Sequence, residues 1–216
     1  MRDEVTNIRA IRAAGVAGLV FAALFTISLV IIRANPPVVA TGTDGGVTVA
    51  ARDTWLLALY LIPFAGIAFL WFLAALRRRV GRLEDQFFAT VFLASGLLFV
   101  AMLFAAGATA SAAVAAGRFG AQPANQAAFE FGRALSETLF YVFAIKMAAA
   151  FMLVSSTIGR RTGALPLWFV GVGLVAGIVM LFSVGFFEPL ALIFPAWVAI
   201  VSLLLLRADP GAWTGA

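Results

Sequence analysis

The chain has 216 residues, of which 63% are hydrophobic and only 12% are charged. Soluble domains carry about 45–50% apolar and about 25% charged residues, so this composition excludes a soluble fold and predicts a protein embedded in lipid. The formal net charge of +5 is interpreted as membrane orientation rather than nucleic-acid binding, because the arginines lie at the ends of apolar runs.

The sequence contains neither cysteine nor histidine. This excludes zinc, haem and iron–sulfur ligation by those residues, and it excludes Ser-His and Cys-His nucleophiles. We therefore expect no cofactor and no metal site, and no catalytic residue is assigned. The composition favours a protein that is not an enzyme without excluding one.

The apolar runs are continuous and about 20 residues long, the length of helix that crosses a hydrocarbon core of roughly 30 Å. A membrane β-barrel would instead alternate apolar and polar residues. The sequence therefore predicts an all-α integral membrane bundle of six transmembrane helices that forms a single domain. The predicted spans are 13–32, 54–76, 87–112, 134–158, 166–184 and 190–206.

The first apolar run follows the basic segment MRDEVTNIRAIR. It is longer than the apolar core of a signal peptide, so we interpret it as an uncleaved span. Ala14, Gly18 and Ala22 recur every four residues, and Gly173 and Gly177 repeat this spacing in the fifth run. Both patterns predict close contact between helices.

Prolines and glycines mark the loops and the kinks. Residues 33–53 are predicted to form a loop, because Pro36-Pro37 ends the first helix and glycines supply turns. Pro63 and Pro195 lie inside predicted spans, where each removes a helical hydrogen bond and predicts a kink.

Six spans place both termini on the same face, and the arginine count indicates which face it is. The termini and the loops on their side carry Arg2, Arg9, Arg12, Arg77, Arg78, Arg79, Arg82, Arg160, Arg161 and Arg207, whereas the opposite face carries Arg33, Arg52, Arg118 and Arg133. The positive-inside rule therefore predicts that both termini are cytoplasmic.

One stretch of the sequence has a family resemblance. Residues 58–104 contain the segments IPFAGIAFLWF and GRLEDQFFATVF, and they resemble small uncharacterised multi-pass membrane proteins of high-GC, actinobacteria-like genomes. Residues 11–33 are similar in style, so the resemblance covers about half of the chain. It implies the bacterial cytoplasmic (inner) membrane, and it brings no activity and no site residue.

Residues 130–161 hold the charged groups nearest the membrane interior. Glu130, Arg133, Glu137 and Tyr141 fall on one face at regular helical spacing, which predicts an ion-paired strip that faces the bundle. Lys146 lies nine residues beyond Glu137. Regular pitch places it on the opposite side of the helix and about 13 Å further along the axis.

An ionised lysine at this depth costs roughly 3 kcal/mol on insertion scales. Lys146 is about 21 Å from Arg160 along the helix, too far to reach the surface. Its predicted partners are carbonyls freed by Pro63 or Pro195, the carboxylate of Glu188, or an acid of another protein, and a neutral lysine is the fourth possibility. Glu188 has two interpretations: a charge at the membrane interface before Pro189, or an acidic member of a site with Lys146 or Arg133.

Two functions follow from these features. The first is a small transporter or permease-like protein that uses the strip and Lys146, which predicts a cavity that reaches Lys146 and contains Glu137 or Glu188. The alternative is a non-catalytic membrane subunit or assembly module, with Lys146 as an interhelical anchor and an exposed face of small residues. The expected partners are the lipid bilayer and either a second copy of the chain or a partner membrane subunit.

Overall fold

The computed structural model describes residues 2–35, 39–41, 47–49, 52–80, 86–119, 126–163, 165–183 and 189–207. These residues are almost entirely helical. The elements are α1 (Arg2–Ala34), β1 (Val39–Thr41), β2 (Val47–Val49), α2 (Arg52–Val80), α3 (Gln86–Phe119), α4 (Gln126–Glu137), a π-helical segment (Thr138–Ala144), α5 (Ile145–Arg161), α6 (Leu167–Phe182) and α7 (Leu190–Arg207). The π-helical segment joins α4 and α5 into one continuous rod.

Within the described residues, five helical segments are long and apolar enough to cross a membrane. They are Arg12–Ala34, Arg52–Arg77, Gln86–Ala115, Gln126–Arg161 and Leu190–Arg207. The prediction of a multi-pass helical membrane protein is therefore confirmed. Helix α6 has 16 residues, or about 24 Å, which is shorter than a core of roughly 30 Å. The number of six spans and the cytoplasmic location of the termini stay predictions.

The segment 33–53, predicted to be a loop, contains a short β-hairpin. Strand β1 pairs with β2 in antiparallel register, with Val39 opposite Val49 and Thr41 opposite Val47. The β-branched residues of both strands favour this pleated pairing across a glycine-rich connection. The loop prediction missed it because each strand has only three residues.

Five phenylalanines from five helices form the centre of the bundle. They are Phe21 of α1, Phe69 of α2, Phe99 of α3, Phe151 of α5 and Phe194 of α7, each no more than 1% exposed. Their ring centroids lie 4.8–6.1 Å apart in the closest pairs, mostly in tilted or edge-on arrangements. Aromatic rings prefer this geometry, so the phenylalanine core fixes how the helices cross.

One end of the bundle is rich in arginine, and we call it the Arg161 end. The Arg161 guanidinium lies over the ring of Phe88, with 4.3 Å from Cζ to the ring centroid. The last turn of α7 packs against the first half of α1, because a Cβ on Gly15 would clash with Leu206. The N-terminal half of α1 and the C-terminal end of α7 therefore lie at the same end of the bundle.

The small-residue face of α1 is buried inside the molecule. Ala14 and Ala22 are 3% and 7% exposed, and a Cβ on Gly18 would clash with Ser202 of α7 and Phe72 of α2. This face joins α1 to its neighbours in the same chain.

Both predicted kink positions lie inside helices. Pro63 is within α2 and Pro195 is within α7. Near Pro63, the hydroxyl of Ser28 donates a 2.7 Å hydrogen bond to the carbonyl of Ala58, which ties α1 to this part of α2.

Candidate binding cavity and the intramembrane lysine

A cavity of about 280 Å³ lies between α1, α2, α3 and the α4–π rod, at the end opposite Arg161. Its apolar wall includes Phe25, Ile62, Leu103 and Phe140. Its charged and phenolic lining consists of Arg33, Arg133, Glu137 and Tyr141. The cavity thus combines an apolar interior with a polar region on two helical rods.

The cavity exists because α3 presents small side chains toward the other helices. Ala106, Gly107 and Ala110 line it, and a Cβ on Gly107 would come no closer than 3.4 Å to Ile62. The sequence GATASAAVAAG therefore leaves space where larger residues would fill the bundle. On the neighbouring rod, a Cβ on Gly132 would lie 2.8 Å from the Cβ of Ala113, so α4 packs very close to α3.

Three of the four predicted strip residues line the cavity. Arg133 donates from Nε to Oε1 of Glu137 at 2.8 Å, and the two side chains are 52% and 41% exposed. The hydroxyl of Tyr141 lies 3.5 Å from a terminal nitrogen of Arg33, which brings α1 to the strip. An exposed ion pair of this spacing contributes only about 0.3–0.5 kcal/mol to stability, so stability does not account for the strip.

Glu130 lies outside this arrangement. It is exposed, does not appear among the described cavity-lining residues, and accepts a 2.7 Å hydrogen bond from the amide of Gln126 on its own helix.

The strip ends in the π-helical segment. The backbone N–H of Ile145 bonds to the carbonyl of Phe140, five residues earlier, instead of the four of an α-helix. Each such turn contains one additional residue, so the side chains beyond it are rotated. The regular α-helical pitch that was used to place Lys146 does not hold through this segment. Lys146 is not among the described residues that line the cavity.

Lys146 binds the C-terminal end of α6. Its ammonium donates to the carbonyls of Met180 and Ser183 at 2.9 and 2.6 Å, and it lies 3.0 Å from the Ser183 hydroxyl. The ammonium has three donors, and the described acceptors number three. The last carbonyls of a helix lack intrahelical donors and carry partial negative charge, so a cation at this point is favourable.

The partners predicted for Lys146 need correction. Its described hydrogen bonds go to carbonyls, but these belong to the end of α6 and not to the helices that contain Pro63 or Pro195. Glu188 lies outside the described residues, so its predicted role at the interface or beside Lys146 stays a prediction.

The helical length of α6 in the structure identifies this partner, whereas the apolar run in the sequence continues to residue 184 and hides it. Its 16 residues extend about 24 Å from the Arg161 end, and Lys146 lies about 21 Å from Arg160 along its own rod. A helix that stops inside the membrane leaves carbonyls that water cannot reach. A basic residue at the same depth on a neighbouring helix satisfies them.

Sequence reasoning also missed a pair of buried polar atoms. Among the described residues, Ser156 Oγ and Trp197 Nε1 have no hydrogen-bond partner, and both lie where a Cβ on Gly173 would be. The glycine thus allows α5, α6 and α7 to meet closely. The described part of the chain contains no cluster of three residues suited to metal binding.

No family model, curated protein or solved structure matches the chain. The resemblance of residues 58–104 to small actinobacterial membrane proteins therefore stays a prediction. The functional argument rests on the cavity and on the charges around it.

Proposed function

We propose that the protein is a small permease-like protein whose substrate enters the cavity between α1, α2, α3 and the α4–π rod. The observation that carries this proposal is the cavity itself, which lies between four helical segments long enough to span a membrane and has an apolar wall and charged groups on two of them. Concave sites with a few placed polar groups are typical of small-molecule binding.

The proposed orientation follows from the arginines. With the Arg161 end in the bacterial cytoplasm, the cavity lies on the outer side of the membrane. Phe25 lines the cavity and also packs against Phe21 and Phe99, with ring centroids 5.4 and 6.4 Å away. The phenylalanine core therefore separates the cavity from the cytoplasmic half, and passage of a substrate requires these rings to part.

In this proposal Lys146 is a structural residue and not part of the substrate site. The sequence-based version of the permease hypothesis expected the cavity to reach Lys146, whereas the described lining contains Glu137 and not the lysine. The polar strip alone supplies the charged groups of the proposed site.

The assembly-module alternative expected an exposed face of small residues. Gly18 packs against Ser202 and Phe72, and Gly177 packs against Leu153, so these faces join helices of the same chain. No described contact favours the module, and association with a second copy or a partner subunit stays a prediction.

Flux into proteoliposomes tests the permease proposal. Three probes share a hexyl chain and differ in head group: hexanesulfonate, hexyltrimethylammonium and hexyl glucoside. We expect at least one to enter proteoliposomes faster than protein-free vesicles. Ala110→Phe fills the cavity and should abolish this flux, whereas Ala108→Phe, on an exposed position of the same helix, should retain it.

Two results would contradict the proposal. One is that no probe enters faster than it enters protein-free vesicles. The other is that Ala110→Phe transports as well as Ala108→Phe does, because the cavity would then not lie on the route.

A further inference from the structure

We propose that the ligand of this cavity is a small amphipathic organic monoanion, a single acidic head group on a short apolar body. This inference rests on the proposed function for the location of the site. It adds the chemical class of the molecule that binds there, which the shape and the charges of the cavity determine.

The volume of the cavity matches a ligand of about ten non-hydrogen atoms. The cavity measures about 280 Å³, and a water molecule occupies about 30 Å³ of liquid, so the space holds roughly nine water-sized groups. Along α1 the lining extends from Phe25 to Arg33, a rise of about 12 Å. Hexanesulfonate and octanoate have this size, whereas a phospholipid is far too large.

The apolar wall requires an apolar body. The deeper lining includes Phe25, Ile62 and Leu103. The hydroxyls of Ser28 and Ser136, which also line the cavity, already donate to the carbonyls of Ala58 and Ala106. Burial of a hydrocarbon chain here is favourable at about 25 cal/mol per Å², whereas a second charged group would lose its water without replacement.

The charged lining favours a negative head group. Its described members are the guanidiniums of Arg33 and Arg133 and the carboxylate of Glu137. Glu137 bonds to Arg133, which places its negative charge beside a cation. A cationic ligand would compete with Arg133 for the carboxylate of Glu137, whereas an anionic head group accepts hydrogen bonds from guanidinium groups.

The geometry of Arg133 adds a specific donor surface. Its described ion pair uses Nε, and a guanidinium has five N–H donors in a planar fork. The terminal nitrogens are thus able to bind the two oxygens of a carboxylate or sulfonate side by side. Arg33 reaches the same region from α1, where it lies beside the Tyr141 hydroxyl.

Equilibrium binding to the full chain in neutral-lipid nanodiscs tests the class. The probes are hexanesulfonate, hexyltrimethylammonium and the neutral hexyl methyl sulfone, which share a hexyl chain and a size of about ten non-hydrogen atoms. Nanodiscs that hold the Ala110→Phe variant correct for partition into lipid. We expect hexanesulfonate to bind and the other two to bind at least about tenfold more weakly, since a hydrogen bond to a charged group is lost.

Charge variants sharpen this test. Arg33→Gln and Arg133→Gln should each weaken hexanesulfonate binding by about tenfold or more, whereas Arg160→Gln, at the opposite end of the rod, should leave it unchanged. Glu137→Gln should strengthen binding, because a like charge leaves the site. Circular dichroism and size-exclusion profiles of each variant show that it is folded.

The outcomes separate the class from the function. Two results overturn the anion class: preference for the cationic or the neutral probe, and unchanged hexanesulfonate binding in the Arg33→Gln and Arg133→Gln variants. Either result leaves the permease proposal standing when another probe shows flux. Binding of hexanesulfonate with the expected variant pattern, but with no flux, upholds the class and overturns the permease proposal.

Discussion

Lys146 carries an ionisable group about 21 Å from Arg160 along the same helical rod, and its ammonium still makes contact with three acceptors. Those acceptors are the carbonyls of Met180 and Ser183 and the hydroxyl of Ser183. The lysine and the end of α6 therefore satisfy each other. Either group alone would be costly at that depth.

Removal of the ammonium should destabilise the fold. Lys146→Met keeps an apolar stem of similar length but removes the cation from both carbonyls, and only Met180 keeps another described donor, the Ser183 hydroxyl. We expect a loss of about 1.5–3 kcal/mol, the range for hydrogen bonds to charged groups, seen as a lower midpoint of thermal unfolding in detergent. Ser183→Ala removes one acceptor and should cost less, about 1 kcal/mol.

The control for this experiment is ligand binding. Because Lys146 is not among the described cavity-lining residues, Lys146→Met should still bind hexanesulfonate at a temperature where it is folded. An unfolding midpoint equal to that of the wild-type protein would show that the contact with α6 contributes nothing to stability.

The sequence predicted that Lys146 needs a partner within the membrane, but it did not identify the partner. The depth of a lysine along a helix can be predicted because it follows from the count of residues to the nearest surface charge. The partner depends on which helix ends at the same depth. That end was hidden because the apolar run continues through 166–184, whereas helix α6 stops at Phe182.

The π-helical segment is the element that links the cavity to the lysine. It has seven residues, Thr138–Ala144, and it contributes Phe140 and Tyr141 to the cavity. Lys146 follows two residues later on α5. The additional residue in the π turn sets the rotation of α5 relative to α4, so the strip and the lysine each face their own partners.

Deletion of Val142 should change the rotation of α5 relative to α4. Val142 is 45% exposed, and its removal allows the segment to return to α-helical pairing, which rotates one half of the rod by about 100° against the other. We expect the deletion variant to lose hexanesulfonate binding, the stability that Lys146 contributes, or both. Binding and thermal unfolding are measured on the same preparation.

Val142→Ala is the matched control, because it removes side-chain volume without changing the number of residues. It should retain both properties. If the deletion variant also retains both, the register of the π-helical segment has no part in positioning the two sites.

At the scale of the whole molecule, the sequence predicted the kind of fold better than the site. Long apolar runs predict helices because lipid cannot hydrogen-bond the backbone, and this inference was correct. The permease hypothesis predicted a cavity that contains Glu137, which lines the observed one, but not its position away from Lys146. That position arises where the small residues of α3 meet three other rods at particular crossing angles, which the sequence does not specify. Individual helix limits also differ: α1 begins at Arg2, since a helix continues beyond the apolar part of its sequence.

The arrangement of the arginines makes a prediction about how the whole molecule lies in the membrane. Helix α7 packs with its end beside the first half of α1, so Arg207 and Arg12 lie at the Arg161 end, and Gln126 lies at the other end of the rod.

The chain has no native cysteine, so single-cysteine variants report accessibility without background. We expect a membrane-impermeant maleimide to label Gln126→Cys on intact cells, and to label Arg160→Cys and Arg207→Cys only after the membrane is opened. Labelling of Arg207→Cys from outside with protection of Arg160→Cys would contradict the placement of both residues at the same end of the bundle. Labelling of Arg160→Cys with protection of Gln126→Cys would reverse the proposed orientation and place the cavity on the cytoplasmic side.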